Sequence, residues 1–321
     1  VDGLIIVRGL KKGDKLELRH PIRTIIKKEF CAGREYDVVW RGPDVIEIMP
    51  FGEHLRLFQR DLSKPEVLPK PEDVYHEQAL MMQRNFGQNE GVAVVYSPSG
   101  PLFEYAPDRM KTVPKTAEEF LAYVKQNPKR FTYARPVNSG PGWTFLQGLP
   151  YILGDADPAD PMKGWDKSWA YLKELGTGID YYPSGTGATM KELGEGTRDV
   201  ILSTCGWDIN PRALGIVPKE AQVFALANTH WIPDTQFMCV PKGVAAAKMP
   251  ALLALMAHML TPEPQAATFD KGYFYPGPAV KGVTLAMAPK ESQDVIKEFG
   301  RPMYDELIAT LPTRPPLTPE R

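Results

Sequence analysis

Short apolar runs of β-forming residues alternate with amphipathic segments along most of the chain. Residues 36–40, 91–96 and 200–204 have the length and composition of buried strands. Residues 117–126 and 164–175 repeat apolar side chains at helical spacing, and the first of these segments begins with a capping-box sequence, Thr-Ala-Glu-Glu. Strands that alternate with helices predict an α/β protein with mostly parallel sheets.

Two further helices are predicted near the start of the chain. Residues 22–30 carry isoleucines and a phenylalanine at helical spacing, and residues 45–58 resemble a helix interrupted by the sequence Pro-Phe-Gly. The strand at 36–40 lies between them and leads directly into the polar loop 41–44. In open α/β sheets, ligands bind at this edge of the strands, so the loop is a candidate for ligand contact; the alternative is a solvated turn.

Residues 131–145 show most clearly how a strand, a loop and a helix follow one another. β-forming residues lead to Pro136, and a loop rich in Gly and Pro then reaches Ser139, which is expected to cap the next helix. A helix start fed by such a loop presents unpaired N–H groups to a polar or anionic ligand, and Trp143 would add a flat apolar wall. An ordinary strand–helix connection with a buried tryptophan explains the same pattern.

Composition narrows the class of protein. The chain has 321 residues, 43% of them hydrophobic and 24% charged, with a net charge of -1, which is typical of a globular protein with about two domains. Without a basic excess, nucleic acid is not an expected partner. The apolar runs are too short to span a bilayer. Cys205 and Cys239 lie in apolar runs and are expected to be either buried thiols or a disulfide.

Motifs for catalysis or metal binding are missing. The five histidines lack zinc-ligand spacing, and no G-x-S-x-G, P-loop or G-x-G-x-x-G sequence follows a strand. The acidic loop 155–161 lacks the glycine and the distal glutamate of a calcium loop. Tyr181 and Tyr182 are adjacent, so in a strand they would face opposite ways and could not both bind iron. We therefore expect no catalytic residues, metal or cofactor.

Several motifs together resemble those of the extracellular solute-binding proteins of ABC importers, in the group with polyamine-, thiamine- and iron-binding members. The similarity covers residues 34–280. It rests on the strands at 36–40 and 91–96, the helix start at 115–120, the loop of 131–145, and the sequence of 260–266 with its following Gly-Tyr-Phe-Tyr-Pro turn. One difference is that only residues 1–13 precede the second predicted strand, where the family has a strand, a ligand loop and a long helix.

The resemblance implies a two-lobed α/β fold of the periplasmic-binding-protein type II class, with a ligand cleft between the lobes. Residues 1–98 and 236–285 would form lobe 1, residues 99–235 lobe 2, and residues 286–321 a C-terminal helical region. The crossing segments are expected near residues 96–101 and 233–237. The implied function is capture of a small polar or charged solute for a membrane permease, by a monomer in the periplasm or outside the cell.

Residues at the predicted strand ends are the candidates for ligand contact. They are Arg41, Asp44, Ser97, Ser139, Trp143, Tyr182, Trp207, Asp208 and Trp231. The aromatic residues suit an organic molecule or a cation. The aspartates, together with Asp234, favour a cation, whereas Arg41, Arg212 and the helix start at Ser139 favour an anion. The alternatives to a transport protein are an enzyme on a similar two-lobed scaffold and a ligand-sensing regulatory domain.

Overall fold

The computed structural model describes residues 11, 23–31, 34–41, 44–49, 68–87 and 91–318. The chain divides into two compact units, Val1–Leu57 and Phe58–Arg321. Each unit is described by itself.

The first unit contains a three-stranded antiparallel sheet. Its strands follow one another in chain order as β1 (Thr24–Cys31), β2 (Arg34–Arg41) and β3 (Asp44–Met49). The strand predicted at 36–40 is confirmed within β2. The helix predicted at 22–30 is wrong over the described residues, since 24–30 belong to β1. The helix predicted at 45–58 is wrong over 45–49, which belong to β3. Residues 22 and 50–58 lie outside the described residues.

Exposure explains why the helical spacing misled in this unit. The described side chains of residues 23–30 are all exposed, so their apolar spacing does not mark a buried helix face. Consecutive β-branched residues, Thr24, Ile25 and Ile26, favour the extended chain that is found. Arg41 and Asp44 are cross-strand partners in the antiparallel pair β2–β3, rather than residues at the edge of a parallel sheet.

The second unit contains two sheets. In the first, β4 lies between β10 and β9 and pairs antiparallel with both. In the second, the order is β6-β7-β5-β8, and β6–β7 is the only parallel pair of strands among the described residues. The strands are β4 (Gly91–Gly100), β5 (Leu102–Tyr105), β6 (Phe131–Thr132), β7 (Val200–Ser203), β8 (Gln222–Phe224), β9 (Ile232–Cys239) and β10 (Gly277–Pro278).

The prediction of an α/β protein is confirmed, but the prediction of mostly parallel sheets is wrong for the described strands. The reason is that β7 is buried along its whole length, which produces the continuous apolar run that is typical of parallel strands. Such a run reports burial on both faces and does not report the direction of the neighbouring strand.

Helices cover both sheets. They are α1 (Pro71–Val74), α2 (Glu77–Met82), α3 (Ala117–Gln126), α4 (Gly140–Leu153), α5 (Asp166–Leu175), α6 (Thr186–Gly194), α7 (Ile209–Ala213), α8 (Met249–Met259), α9 (Pro262–Ala267), α10 (Lys290–Phe299) and α11 (Pro302–Thr310). The predicted start of α3 is confirmed, because the Thr116 hydroxyl accepts a hydrogen bond from the Glu119 N–H at 3.2 Å. The Glu119 carboxylate accepts in turn from the Lys115 N–H at 2.7 Å.

Separate hydrophobic clusters stabilise the two sheets. The sheet of β5–β8 is packed by a cluster rich in phenylalanine, in which Phe103 stacks on Phe224 with ring centroids 5.0 Å apart. The sheet of β4, β9 and β10 is packed by a cluster that includes Val92 and Tyr96 of β4 and Met256 of α8. The chain therefore passes from one cluster to the other between β4 and β5, and it returns along β9.

The C-terminal helices add a third cluster. Phe299 of α10 and Tyr304 of α11 pack against Cys205, Ile209 and Trp231, which belong to the segments around β7 and β9. This packing attaches α10 and α11 beside the loop that follows β7.

Candidate functional site

The strands β4 and β9 are irregular where they pass between the two clusters. Ser97 pairs with Asp234 and Gly100 pairs with Ile232, with a register shift between them. Ser99, inside the shift, has φ of 62°, a left-handed conformation that is uncommon for serine. Uncommon backbone conformations of this kind concentrate at functional sites, which makes the surroundings of Ser99 a candidate site.

Hydrogen bonds fix this irregular segment to its neighbours. The Ser97 hydroxyl accepts from the Ser99 N–H at 3.1 Å and donates to the Tyr275 carbonyl at 3.0 Å. The Cys205 N–H donates to the Ser99 carbonyl at 2.7 Å. Ser97, a predicted ligand residue, is buried and joins three segments.

The N-terminus of α4 lies at the same place, and Ser139 is its cap, as predicted. Its hydroxyl accepts from the Gly142 N–H at 3.2 Å and shares a hydrogen bond of 2.8 Å with the Thr186 hydroxyl. Pro141 has no N–H, and the Trp143 N–H donates to the Ser139 carbonyl at 2.8 Å. In the first turn of α4, only the Gly140 N–H is left for a ligand.

A cleft of about 130 Å³ opens between these segments. Its lining combines the irregular strands, the starts of α4 and α6, the loop after β7 and the segment before β10. The lining residues are Ser99, Gly140, Pro141, Thr186, Thr204, Trp207, Asp234, Tyr273 and Phe274. Both sheets therefore contribute to one concave surface.

Asp234 is the one charged side chain among the described residues that line the cleft. Burial raises the pKa of its carboxyl above the ordinary value, and a hydrogen bond from the Thr235 backbone opposes that shift. No arginine or lysine of the described residues forms an ion pair with Asp234, whereas Asp199 and Asp208 each have arginine partners.

Aromatic rings form one wall of the cleft. Trp207 and Tyr273 meet edge to face with centroids 4.4 Å apart, and Phe274 lies 4.9 Å from Tyr273. The Trp207 indole N–H is buried, and no described residue accepts a hydrogen bond from it. An unsatisfied buried donor is unfavourable, and the Trp207 side chain also packs against the cluster that includes Met190 and Leu193.

Of the residues predicted from the sequence, the structure brings Trp207 to the cleft surface, while Ser139 and Ser97 hydrogen bond to the lining residues Thr186 and Ser99. Tyr273, Phe274 and Ser99 were missed because their sequence context is that of ordinary turns. Asp234 was visible only as one of several acidic residues. The signal that could have singled it out is its position beside Pro233 in a predicted crossing segment.

Asp208 and Trp231 are fully buried away from the cleft surface. The Asp208 carboxylate pairs with Arg212 and Arg301, each at 2.6 Å, and accepts a hydrogen bond from the Tyr304 hydroxyl. The Trp231 indole N–H donates to the Leu307 carbonyl at 3.0 Å. Both residues attach the C-terminal helices to the segments around β7 and β9.

Trp143 and Tyr182 lie elsewhere on the surface. Trp143 lines a separate groove together with Trp165, Trp169 and Leu317. Tyr182 is exposed and meets Tyr133 edge to face, with centroids 5.0 Å apart. Neither is among the residues that line the cleft.

Arg41 and Asp44 belong to the first unit, in which Arg41 is exposed. Their predicted contact with a ligand stays a prediction. Cys205 carries a buried free thiol. The structure therefore shows no disulfide between Cys205 and Cys239, which was one of the two alternatives predicted for this pair.

Another buried carboxyl is that of Glu104 in β5, which is near enough to Asp208 for their charges to interact. Burial and the Asp208 charge, opposed by Arg301 and Arg212, raise the pKa of Glu104 to about 8. Glu104 is therefore protonated at neutral pH and below, and it adds no charge to the cleft.

Over the described ranges, no group of three or more histidine, cysteine, aspartate or glutamate side chains is arranged to hold a metal ion. Nor is any helix in those ranges both long and apolar enough to cross a membrane.

The fold resembles solved binding proteins at low sequence identity. An ABC transporter structure from Clostridium perfringens matches with a TM-score of 0.57 and 11% identity, over 80% of this chain and 72% of that one. A spermidine/putrescine ABC transporter substrate-binding protein from Streptococcus pneumoniae matches with a TM-score of 0.53 and 12% identity, over 80% and 72%. These identities establish the similarity of fold alone.

A periplasmic thiamin binding protein matches with a TM-score of 0.51 and 16% identity, over 73% of this chain. The match covers 62% of the thiamin binding protein, which is less than two thirds of its length. Comparison with curated proteins gave no match. The family model for bacterial extracellular solute-binding proteins matches residues 70–297, well over half of the sequence. The chain belongs to the bacterial extracellular solute-binding protein family.

Proposed function

We propose that this protein is the substrate-binding component of an ABC importer, which captures a small polar or charged solute and delivers it to a membrane permease. The observation that carries the proposal is the cleft at the crossing strands β4 and β9, lined from both sheets. Family membership supports it. The family description also supports a location in the periplasm or outside the cell.

We assign lobe 1 to residues 1–98 and 236–285, lobe 2 to residues 99–235, and the C-terminal helical region to residues 286–321. The separate hydrophobic clusters of the two sheets support this assignment over the described residues of the second unit. For residues 1–57 it stays a prediction from the sequence.

The cleft suits a hinge mechanism. Tyr273 and Phe274 belong to the proposed lobe 1, whereas Thr186, Thr204 and Trp207 belong to lobe 2. A solute that contacts both groups favours the closed state, because only a difference in affinity between open and closed states shifts their equilibrium. The permease would then recognise the closed form.

Reversible binding accounts for the lining better than catalysis does. The lining holds hydroxyls, aromatic rings and one carboxylate, and the described residues that form it include no histidine, lysine or cysteine. A nucleophile with an adjacent base, as covalent catalysis needs, is not assembled from these groups. A concave surface with a few polar groups and aromatic walls is sufficient for binding.

Small-angle scattering tests the proposal. The protein is measured with and without the dialysable small-molecule fraction of yeast extract, and we expect a smaller radius of gyration with the fraction. The retained solute is identified by mass spectrometry after denaturation and should be recovered unchanged. A product in catalytic excess over protein would instead support the enzyme alternative.

Gly140→Phe provides the blocked variant for this test. A side chain at residue 140 starts in open space, where the nearest atom to its Cβ is an Asp234 carboxylate oxygen at 4.0 Å. We expect this variant to retain no solute and show no compaction. Ala170→Phe, on the exposed face of α5, is the matched control and should behave like the natural protein.

A further inference from the structure

We propose that the solute is an organic cation, and that Asp234 and Trp207 are the residues that select it. This inference rests on the proposed function, since it names the class of solute that the same cleft accepts.

The charge of the lining carries the inference. Asp234 is the one carboxylate among the described lining residues, which include no basic side chain, and no described lysine or arginine pairs with it. Asp234 is half-buried, so its carboxylate is partly withdrawn from water without a cationic partner, and a positively charged ligand gains what a cation of the protein would otherwise supply. An anionic ligand would meet the same carboxylate with repulsion.

Donors for an anion are scarce at the start of α4. Its first turn is a natural place for an anionic group, but Pro141 has no N–H and the Gly142 N–H donates to Ser139. The Ser139 and Thr186 hydroxyls are hydrogen bonded to each other. The start of α4 therefore lacks the converging donors that bind phosphates and carboxylates.

The aromatic wall favours an organic cation over a bare metal ion. Trp207 is the ring type that attracts cations most strongly, and Tyr273 and Phe274 extend the apolar surface beside it. No second carboxylate or imidazole of the described residues reaches the lining to complete the coordination of a metal. A positive group on an apolar frame uses both Asp234 and the rings.

The experiment separates solutes by charge. Dialysable yeast extract is divided by ion exchange into cationic, neutral and anionic fractions, and each is titrated against the protein while the unfolding temperature is followed. We expect the cationic fraction to stabilise the natural protein. For Asp234→Asn, half-maximal stabilisation should need at least about 30-fold more of that fraction, the lower end for loss of one member of a buried charge pair.

Asp108→Asn is the matched control, because Asp108 has an exposed side chain on the surface of the same unit. It should bind the cationic fraction like the natural protein. Stabilisation by the anionic or neutral fraction, unaffected by Asp234→Asn, would overturn the inference and leave the proposed function standing. Stabilisation by none of the fractions would contradict the proposed function itself.

Discussion

Two aspartates, Asp208 and Asp234, both lie in loops that the sequence places at strand ends, but their surroundings in the structure are opposite. Asp208 is fully buried and is neutralised by Arg212 and Arg301, with a further hydrogen bond from the Tyr304 hydroxyl. Asp234 borders the cleft, and no described cation pairs with it. One carboxylate therefore serves the fold, and the other is available to a ligand.

The comparison teaches that partners, and not position in the sequence, decide the role of a buried charge. The partners of Asp208 include Arg301, which precedes α11, and Tyr304 of α11, which come 93 and 96 positions later in the chain. Asp234 is half-buried and has no such distant partner among the described residues, so a ligand can supply the counter-charge that its carboxylate lacks.

The largest expected effect is on folding. Asp208→Asn should lower the free energy of unfolding by about 3–5 kcal/mol, because two arginines would remain buried without a counter-charge. Urea denaturation at neutral pH measures the change. Asp234→Asn, by contrast, should be at least as stable as the natural protein, since it removes a half-buried carboxylate that no described cation pairs with.

This pair of variants can contradict the comparison directly. If Asp234→Asn proved as destabilising as Asp208→Asn, Asp234 would have a structural partner of comparable strength. If Asp208→Asn stayed folded but no longer bound the cationic fraction, Asp208 would belong to the binding site.

A smaller effect is expected on affinity from two of the three tryptophans that were predicted to contact the ligand, Trp207 and Trp143. Trp207→Ala should weaken binding of the cationic fraction by about 10- to 30-fold, through loss of a largely desolvated cation–ring contact. Trp143→Ala should leave the affinity unchanged, because Trp143 lines a separate groove. Isothermal titration on both variants makes the measurement.

Trp207→Phe sharpens the same test, since it keeps an aromatic face and should lose less affinity than Trp207→Ala. Equal losses for both replacements would show that the indole ring acts through its shape or its N–H. A loss with Trp143→Ala comparable to that of Trp207→Ala would move the site towards the groove of Trp165 and Trp169.

Local chemistry made part of this molecule predictable from the sequence. The capping box at Thr116 and the cap at Ser139 depend on groups within three residues of each other, and both are found. The family resemblance supplied the fold class, and Trp207 was singled out by its place after a buried strand.

The features that the sequence did not predict depend on contacts between residues that are distant in the chain. The helix predicted at 22–30 is wrong over its described residues because a spacing of apolar residues does not show whether they are buried. The burial of Asp208 and Trp231 could not be predicted, because their partners Arg301, Tyr304 and Leu307 come much later in the chain. Such partners are set by tertiary packing and leave no local signal.

The smallest expected effect is a dependence of affinity on pH. Burial raises the pKa of Asp234 in the ligand-free protein, and a bound cation would favour the ionised carboxylate and lower that pKa. Organic amines stay protonated at neutral pH and below. The affinity should therefore be constant near neutrality and fall as the pH drops through the raised pKa of Asp234, by up to about tenfold per pH unit.

Titrations of the cationic fraction between neutral and mildly acidic pH measure this fall in the natural protein and in Asp234→Asn. Glu104, with a pKa raised to about 8, stays protonated throughout that range and cannot produce the change. The other described lining residues carry no carboxylate, amine or imidazole. Asp234→Asn should therefore bind weakly and equally at every pH of the series. If the variant kept the slope of the natural protein, or if affinity rose towards acidic pH, a group other than Asp234 would govern recognition of the cation.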